Sequence, residues 1–405
     1  MQADPDERHA RHRVEEVQGL YGTFTFSEHL LQQIWARREF NGSNLVTQEG
    51  RRVEVIHPGR WNLLGGPDFK DARIRFDQGP VQSGDVELHL HAAGWRQHGH
   101  ATDAAYDRVL LHVVLFPEAA APPAVAAGAR PLPTLALLPH LHHALEEYAA
   151  ESVIESLAGR PVPAIMARLR DLTPEALAGL LATRARERWQ QKVRYAALRL
   201  DRLGWVAACH HGALEVLGYR FNRAPMLDVA ARYPLAAWSR GGADLRLVYA
   251  AMGDRWTLHG VRPANHPWVR LQQYAAWVEA RPDWPDLIDA AIQDLPHPSW
   301  ATEARVARRT HRLADLRAHL AARICAGRVG GTRLDNLICD GWLPLAAAHT
   351  GWDLFGLWWH WWPGDQPPQL RRVLRELGVF AGAARPAAHG PLQGLMAEIL
   401  ALEGR

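Results

Sequence analysis

In the stretch GDVELHLH, Gly84 to His91, apolar residues alternate with acidic or imidazole residues. That is the period of a β-strand. Val86, Leu88 and Leu90 fall on one side and Asp85, Glu87, His89 and His91 on the other. Nineteen residues before Glu87, Asp68 opens a second strand-like run, DFKDARIRF. Two carboxylates on neighbouring strands can grip a hard divalent cation. An imidazole two residues beyond the second carboxylate shares its face. With an ordinary pKa of about 6.5, it can orient or deprotonate a water beside that cation.

The run GGPDFKDARIRFDQGPVQSGDVELHLH resembles the core of PD-(D/E)xK phosphodiesterases. The resemblance implies a restriction-endonuclease-like mixed β-sheet and a nuclease activity on nucleic acid. It makes Asp68 and Glu87 the ligands of Mg²⁺ or Mn²⁺, with the Leu88 carbonyl as a third oxygen and His89 serving the attacking water. The pattern normally places lysine where this chain has His89, and Lys70 and His91 are the nearest substitutes. Glu54 or Asp85 would back the ligands. The rival within this reading is a nuclease fold that has lost its chemistry and holds nucleic acid without cutting it.

The histidines support a third reading. His57, His89, His91, His98, His100 and His112 fall within 56 residues. A zinc, iron or manganese centre built from imidazoles is therefore an alternative, although two histidines on a strand and a His-x-His in a loop follow no standard ligand spacing. His98 and His100 would hold their loop or touch phosphate. His112, inside the apolar run RVLLHVVLF, is expected to be a core histidine bonded to a carbonyl.

Several elements must position these residues. Ser27 reads as the N-cap of a helix carrying Leu30, Leu31, Ile34 and Trp35 and ending near EFNGSN. NLVTQEGRRVEVIHPG reads as a hairpin turning at Gln48–Gly50. DFKDARIRF and VQSGDVELHLH form the next strand pair. RVLLHVVLF is a strand buried on both faces. PEAAAPPAVAAGARPLP, Pro117 to Pro133, reads as a solvated loop, and TLALL as one more strand. Beyond about Leu141, long Ala/Leu/Arg segments carry helical periodicity. The fold class expected is α+β: a mixed-sheet core over residues 20–140, then a mostly α-helical region over 141–405, with a subdivision near 281–300.

The helical half offers weaker signals. In GVRPANHPWVRLQQYAAW, Arg262, Asn265 and Arg270 flank a helix start where an anion can dock; the alternative is a rigid turn with Asn265 as the cap. Arg160–Arg202 carries a net +6 and Arg305–Arg333 a net +7. Both fit a phosphate backbone or a solvated helix face. The tryptophans of FGLWWHWWPGD read as helix core.

With 405 residues, 48% hydrophobic and 22% charged, the chain is expected to be globular with two or three subdomains. A net charge of +3 gives little overall pull on polyanions. Cys209, Cys325 and Cys339 are too widely spaced for a disulfide framework. The charged N-terminal stretch lacks the apolar core of a signal peptide, and no run is long enough to span a bilayer. A cytoplasmic protein with no membrane partner is expected.

Taken together, EVIHPGRWNLLGGPDFKDARIRF, GDVELHLHAAGWRQHGHATDAAYDRVLLHVV, RPLPTLAL, GVRPANHPWVRLQQYAAW and HGPLQGLMAEIL resemble an uncharacterised bacterial family, domain of unknown function 2851. The resemblance runs from about Leu30 to near the C-terminus. It implies that Glu-x-His and His-x-His are family features.

Overall fold

A computed structural model describes residues 14–19, 22–63, 65–117, 124–126, 130–157, 166–167, 169–239, 243–258 and 261–403. The chain divides into two compact units, Met1–Ser152 and Val153–Arg405. The first is built on a mixed sheet and the second is mostly helical.

The first unit opens with an antiparallel hairpin, β1 (Val14–Gly19) and β2 (Gly22–Ser27), where the sequence reads only as a polar lead. Helix α1 follows at Glu28–Arg37. Ser27 caps it by accepting from the Leu30 amide at 3.2 Å, and Arg38 stops it in the left-handed region. Then come β3 (Leu45–Val46), β4 (Arg52–His57), β5 (Arg60–Trp61), β6 (Phe69–Phe76) and β7 (Val81–His89). The short helix α2 (Gly94–Gln97) leads to β8 (Val109–Val114), β9 (Val125–Ala126), β10 (Arg130–Pro131) and β11 (Thr134–Ala136). The main sheet runs β11-β8-β7-β6-β4-β3, with β5 paired to β6. Strand β7 is antiparallel to β6 and parallel to β8.

A parallel neighbour requires a crossover, and the crossover explains the burial of β7. From Gly84 to His89 every residue of this strand is buried, including Asp85, Glu87 and His89. One face packs Val86 and Leu88 into the main core with Trp35, Phe69, Ile74, Leu111 and Val113. The opposite face, with Glu87 and His89, is covered by the segment between β7 and β8, which brings Gly94 and His100 against His89. Trp95 and Tyr106 of that segment form a small second core with Val109 of β8 and with Ala124, Ala126 and Leu132 beyond it. Trp95 Nε1 also donates to the Val125 carbonyl at 2.9 Å. The stretch 117–133 is thus not wholly a solvated loop: its described part includes the pair β9–β10 and three of those buried residues. Gly84 allows β8 to approach, since a Cβ there would lie 2.5 Å from Leu110 Cγ and 2.6 Å from the Arg108 carbonyl oxygen. Leu145 and Tyr148 belong to the main core, so the first unit extends past the boundary at residue 140.

The second unit contains α3 (Pro174–Leu203), capped by Thr173, and α4 (Trp205–Arg232), broken where Tyr219 takes φ 55°. Helices α5 (Pro267–Ala280) and α6 (Gly331–Asn336) follow. A π-helical turn over Leu337–Trp342, α7 (Phe355–His360) and α8 (His389–Glu403) come next. The segment 281–300 does not separate two cores, because Trp284, Ile288 and Ile292 pack in the same cluster as Trp277 and Leu334. Trp358 and Trp361 are fully buried and donate to the Cys339 carbonyl and to Asp335 Oδ1. The three cysteines are buried free thiols. Among the described residues, no helix is long and apolar enough to cross a membrane.

Candidate metal centre

Asp68 and Glu87 meet. The Asp68 amide donates to Glu87 Oε2 at 3.0 Å, and the Leu88 amide donates to Asp68 Oδ2 at 3.0 Å. Gln32, one turn along α1 from Glu28, donates to Asp68 Oδ1 at 2.7 Å. The backbone irregularity between Phe69 and Ala72 in the β6–β7 register lies directly beyond this clasp. Asp68 is therefore held by amides, while the second oxygen of Glu87 turns elsewhere.

Glu87 Oε1 lies 3.2 Å from His100 Nε2 and 3.7 Å from His89 Nε2. His89 Nε2 is in turn 3.1 Å from His98 Nδ1. His89, His98 and His100 each bring one ring nitrogen to a common point, all within 4.8 Å of one another. Two nitrogens about 2.1 Å from a tetrahedral ion are about 3.4 Å apart, so the spacing fits a shared cation. His89 and His100 are buried and His98 is exposed, which opens the cluster to solvent.

The chain positions these rings by packing. His89 Nδ1 is 2.9 Å from His112 Nε2. Gly94 lies so close that a Cβ there would be 2.5 Å from His89 Cδ2. His100 stacks on Tyr106 at 3.8 Å between centroids and meets Trp95 edge-on. Burial pushes His100 down to about 4, opposed by Asp103. Burial, helped by His100, pushes His112 down to about 3. Both imidazoles are neutral at pH 7, the state in which a ring nitrogen has a lone pair to give. Burial also pushes Glu87 up to about 8, with the Asp68 amide opposing the rise and Glu28 adding to it. A bound cation reverses that preference by favouring the carboxylate.

Of the residues singled out in the sequence, Asp68, Glu87, His89, His98 and His100 come together here. The others do not. Asp85 accepts from the Asp71 amide at 3.1 Å and secures the bulge. His91 lies past the strand end, stacked on Phe116. Glu54 is paired with Arg75 across β4 and β6 at 2.5 Å. Lys70 is exposed on β6, paired in register with Arg60 of β5. His112 is buried as expected, but its partner is His89 and not a carbonyl. Two contributors escaped notice: Gln32 and Glu28, the latter buried and accepting from the Leu90 amide at 3.4 Å. Their spacing of four on one helix was the available signal.

In the second unit, Arg262 is exposed while Arg270 is buried. Asn265 does not cap α5; His266 does, accepting from the Trp268 amide at 3.2 Å. Asn265 Oδ1 accepts from Arg270 and Arg333 instead. Many arginines of the two basic segments are engaged internally. Arg184 pairs with Glu398, Arg199 with Glu215 and Arg317 with Asp335, and Arg308 donates to three carbonyls.

A family model described as protein of unknown function (DUF2851) matches residues 28–252. No curated protein and no solved structure matches the chain.

Proposed function

The chain belongs to the DUF2851 family of proteins of unknown function, and from that premise we propose that it is a divalent-metal-dependent hydrolase acting on phosphodiesters. The ion is held by His89, His98 and His100, with Glu87 as the fourth ligand. The observation that carries this reading is the convergence of three ring nitrogens within 4.8 Å beside Glu87 Oε1. Imidazole donors move the preference from Mg²⁺ toward zinc, manganese or iron. Such an ion lowers the pKa of a bound water and polarises a phosphoryl oxygen. Asp68 holds the Leu88 amide and keeps Glu87 aimed at the ion. His98 marks the side from which substrate enters.

The phosphodiester substrate, with nucleic acid as its source, is supported by the strand layout. Asp68 at the mouth of β6 and Glu87 on the adjoining β7 match the order of a restriction-endonuclease-like core. A second reading keeps that core in its usual form: a Mg²⁺ or Mn²⁺ nuclease whose protein ligands are Asp68 and Glu87. The Asp68 amide on Glu87 Oε2, which brings the two residues side by side, is what supports it.

Elemental analysis of the purified protein separates the two. The first reading expects about one zinc, manganese or iron per chain, loss of that metal in His98→Ala, and metal-dependent cleavage of bis-p-nitrophenyl phosphate or an oligonucleotide. Cleavage that requires Mg²⁺ and survives His98→Ala supports the second. No hydrolysis under any divalent metal removes both.

A further inference from the structure

A separate charged cluster lies in the second unit. Arg270 on α5 and Arg333 on α6 are 9% and 6% exposed. Asn265 Oδ1 accepts from Arg270 Nη2 at 2.6 Å and from Arg333 Nη2 at 3.3 Å, so one neutral oxygen bridges two buried cations. Asp365 pairs with Arg333 at 3.0 Å. The other bond of Arg270 goes to a neutral acceptor, Gln273 Oε1, at 2.6 Å. Arg333 also donates to the Val216 carbonyl at 3.1 Å, just ahead of the break in α4, and lies over the Tyr219 ring. Arg333 thus has Asp365 as its paired carboxylate, with Asp340 acting at longer range, while Arg270 has no carboxylate hydrogen-bonded to it among the described residues. The Nε of each arginine is buried with no hydrogen-bond partner among the described residues.

Buried charge without a counter-charge is costly. Burial, with Arg333 beside it, already holds Arg270 down to about 10. An anion that accepts the two Nε–H groups removes both deficits. Two guanidinium forks from separate helices suit tetrahedral oxygens, whereas a planar carboxylate matches one fork. At the edge of the cluster, Asp365 keeps 34% of its side chain exposed, and Arg262 in the turn before α5 is exposed.

We propose that Arg270 and Arg333, bridged by Asn265, form a binding site for a phosphate group. The group comes from a small phosphate or phosphomonoester, or from a nucleic-acid backbone. Neither the site nor its test depends on the metal centre.

The test uses the full chain, melted in inorganic phosphate and in chloride at equal ionic strength. Phosphate is expected to raise Tm by about 3 °C, the effect of a ligand that binds only the folded state. Asn265→Asp keeps the shape and places a fixed negative charge between the guanidiniums. It is expected to raise Tm in chloride and to abolish the phosphate effect. Arg270→Gln is expected to abolish the phosphate effect without the rise in chloride. A 5′-dephosphorylated oligonucleotide that displaces phosphate, with binding weakened about tenfold by Asn265→Asp, identifies the backbone as the source. Binding confined to phosphate and phosphomonoesters identifies a small ligand. Equal melting in phosphate and chloride, or a phosphate effect that survives in Asn265→Asp, overturns the proposal.

Discussion

His89 Nδ1 stands 2.9 Å from His112 Nε2, inside the parallel pair β7–β8. This contact consumes one nitrogen of His89 and leaves Nε2 directed at His98 and Glu87. Outer partners of this kind orient a ligand ring and tune its basicity. His112→Phe keeps an aromatic ring at a fully buried position and removes the nitrogen that faces His89. The expected result is a folded protein whose zinc affinity falls about 10–100-fold, read by competition with a chromophoric chelator. Unchanged affinity would mean that packing alone aims His89.

Packing can be tested at Gly94, which touches no metal ligand atom. A Cβ there would lie 2.5 Å from His89 Cδ2 and 2.7 Å from Cγ. The ring is held on both nitrogens and has little room to retreat. Gly94→Ala is expected to cost about 1–3 kcal/mol in urea titration and to lower metal occupancy. Gly42→Ala, where a Cβ meets nothing within 4 Å, is the control and should do neither.

On Asp68, Oδ1 accepts from Gln32 and Oδ2 from the Leu88 amide. Asparagine offers one acceptor and one NH₂, so Asp68→Asn turns a donor toward a donor. It should destabilise the protein by about 1–3 kcal/mol in urea. If Asp68 only keeps Glu87 aimed, zinc occupancy will fall less in Asp68→Asn than in His98→Ala. A larger loss in Asp68→Asn would make Asp68 a ligand and favour the carboxylate-centred reading.

The strands that carry the site were legible because alternation and turn chemistry are local. The Ser27 cap and the runs DFKDARIRF, VQSGDVELHLH and RVLLHVVLF all lie where sequence places them. Burial of the polar file on β7 was not legible. It depends on a crossover whose Trp95, Tyr106 and His100 fold back over the strand, and alternation reports only that two faces differ. His98 and His100 showed no standard ligand spacing because their partner, His89, arrives from a strand end nine residues earlier. The early hairpin β1–β2 was missed because charge in VEEVQG hides its pairing with GTFTFS. In GVRPANHP the anion reading and the capping reading both rested on Asn265, but the helix cap is His266. Only the distant Arg333 shows what Asn265 does.

His389, at the start of α8, offers a pH test independent of both proposed sites. It is fully buried, and neither ring nitrogen has a hydrogen-bond partner among the described residues. Burial pushes it down to about 3; Asp340 opposes this, while Lys192 and Arg188 reinforce it. The folded state therefore refuses a proton that the unfolded chain takes up near pH 6.5. Between those values the unfolded state binds more protons, so stability rises with pH there and is fully present above about 6.5. Acidification from pH 7 to pH 5 should remove about 2 kcal/mol through this residue alone. His389→Leu deletes that contribution. Urea titrations at pH 7 and pH 5 should show a smaller loss in His389→Leu than in the wild type, by about 2 kcal/mol. Equal losses would mean that His389 gains a proton in the folded state, with Asp340 outweighing burial, Lys192 and Arg188.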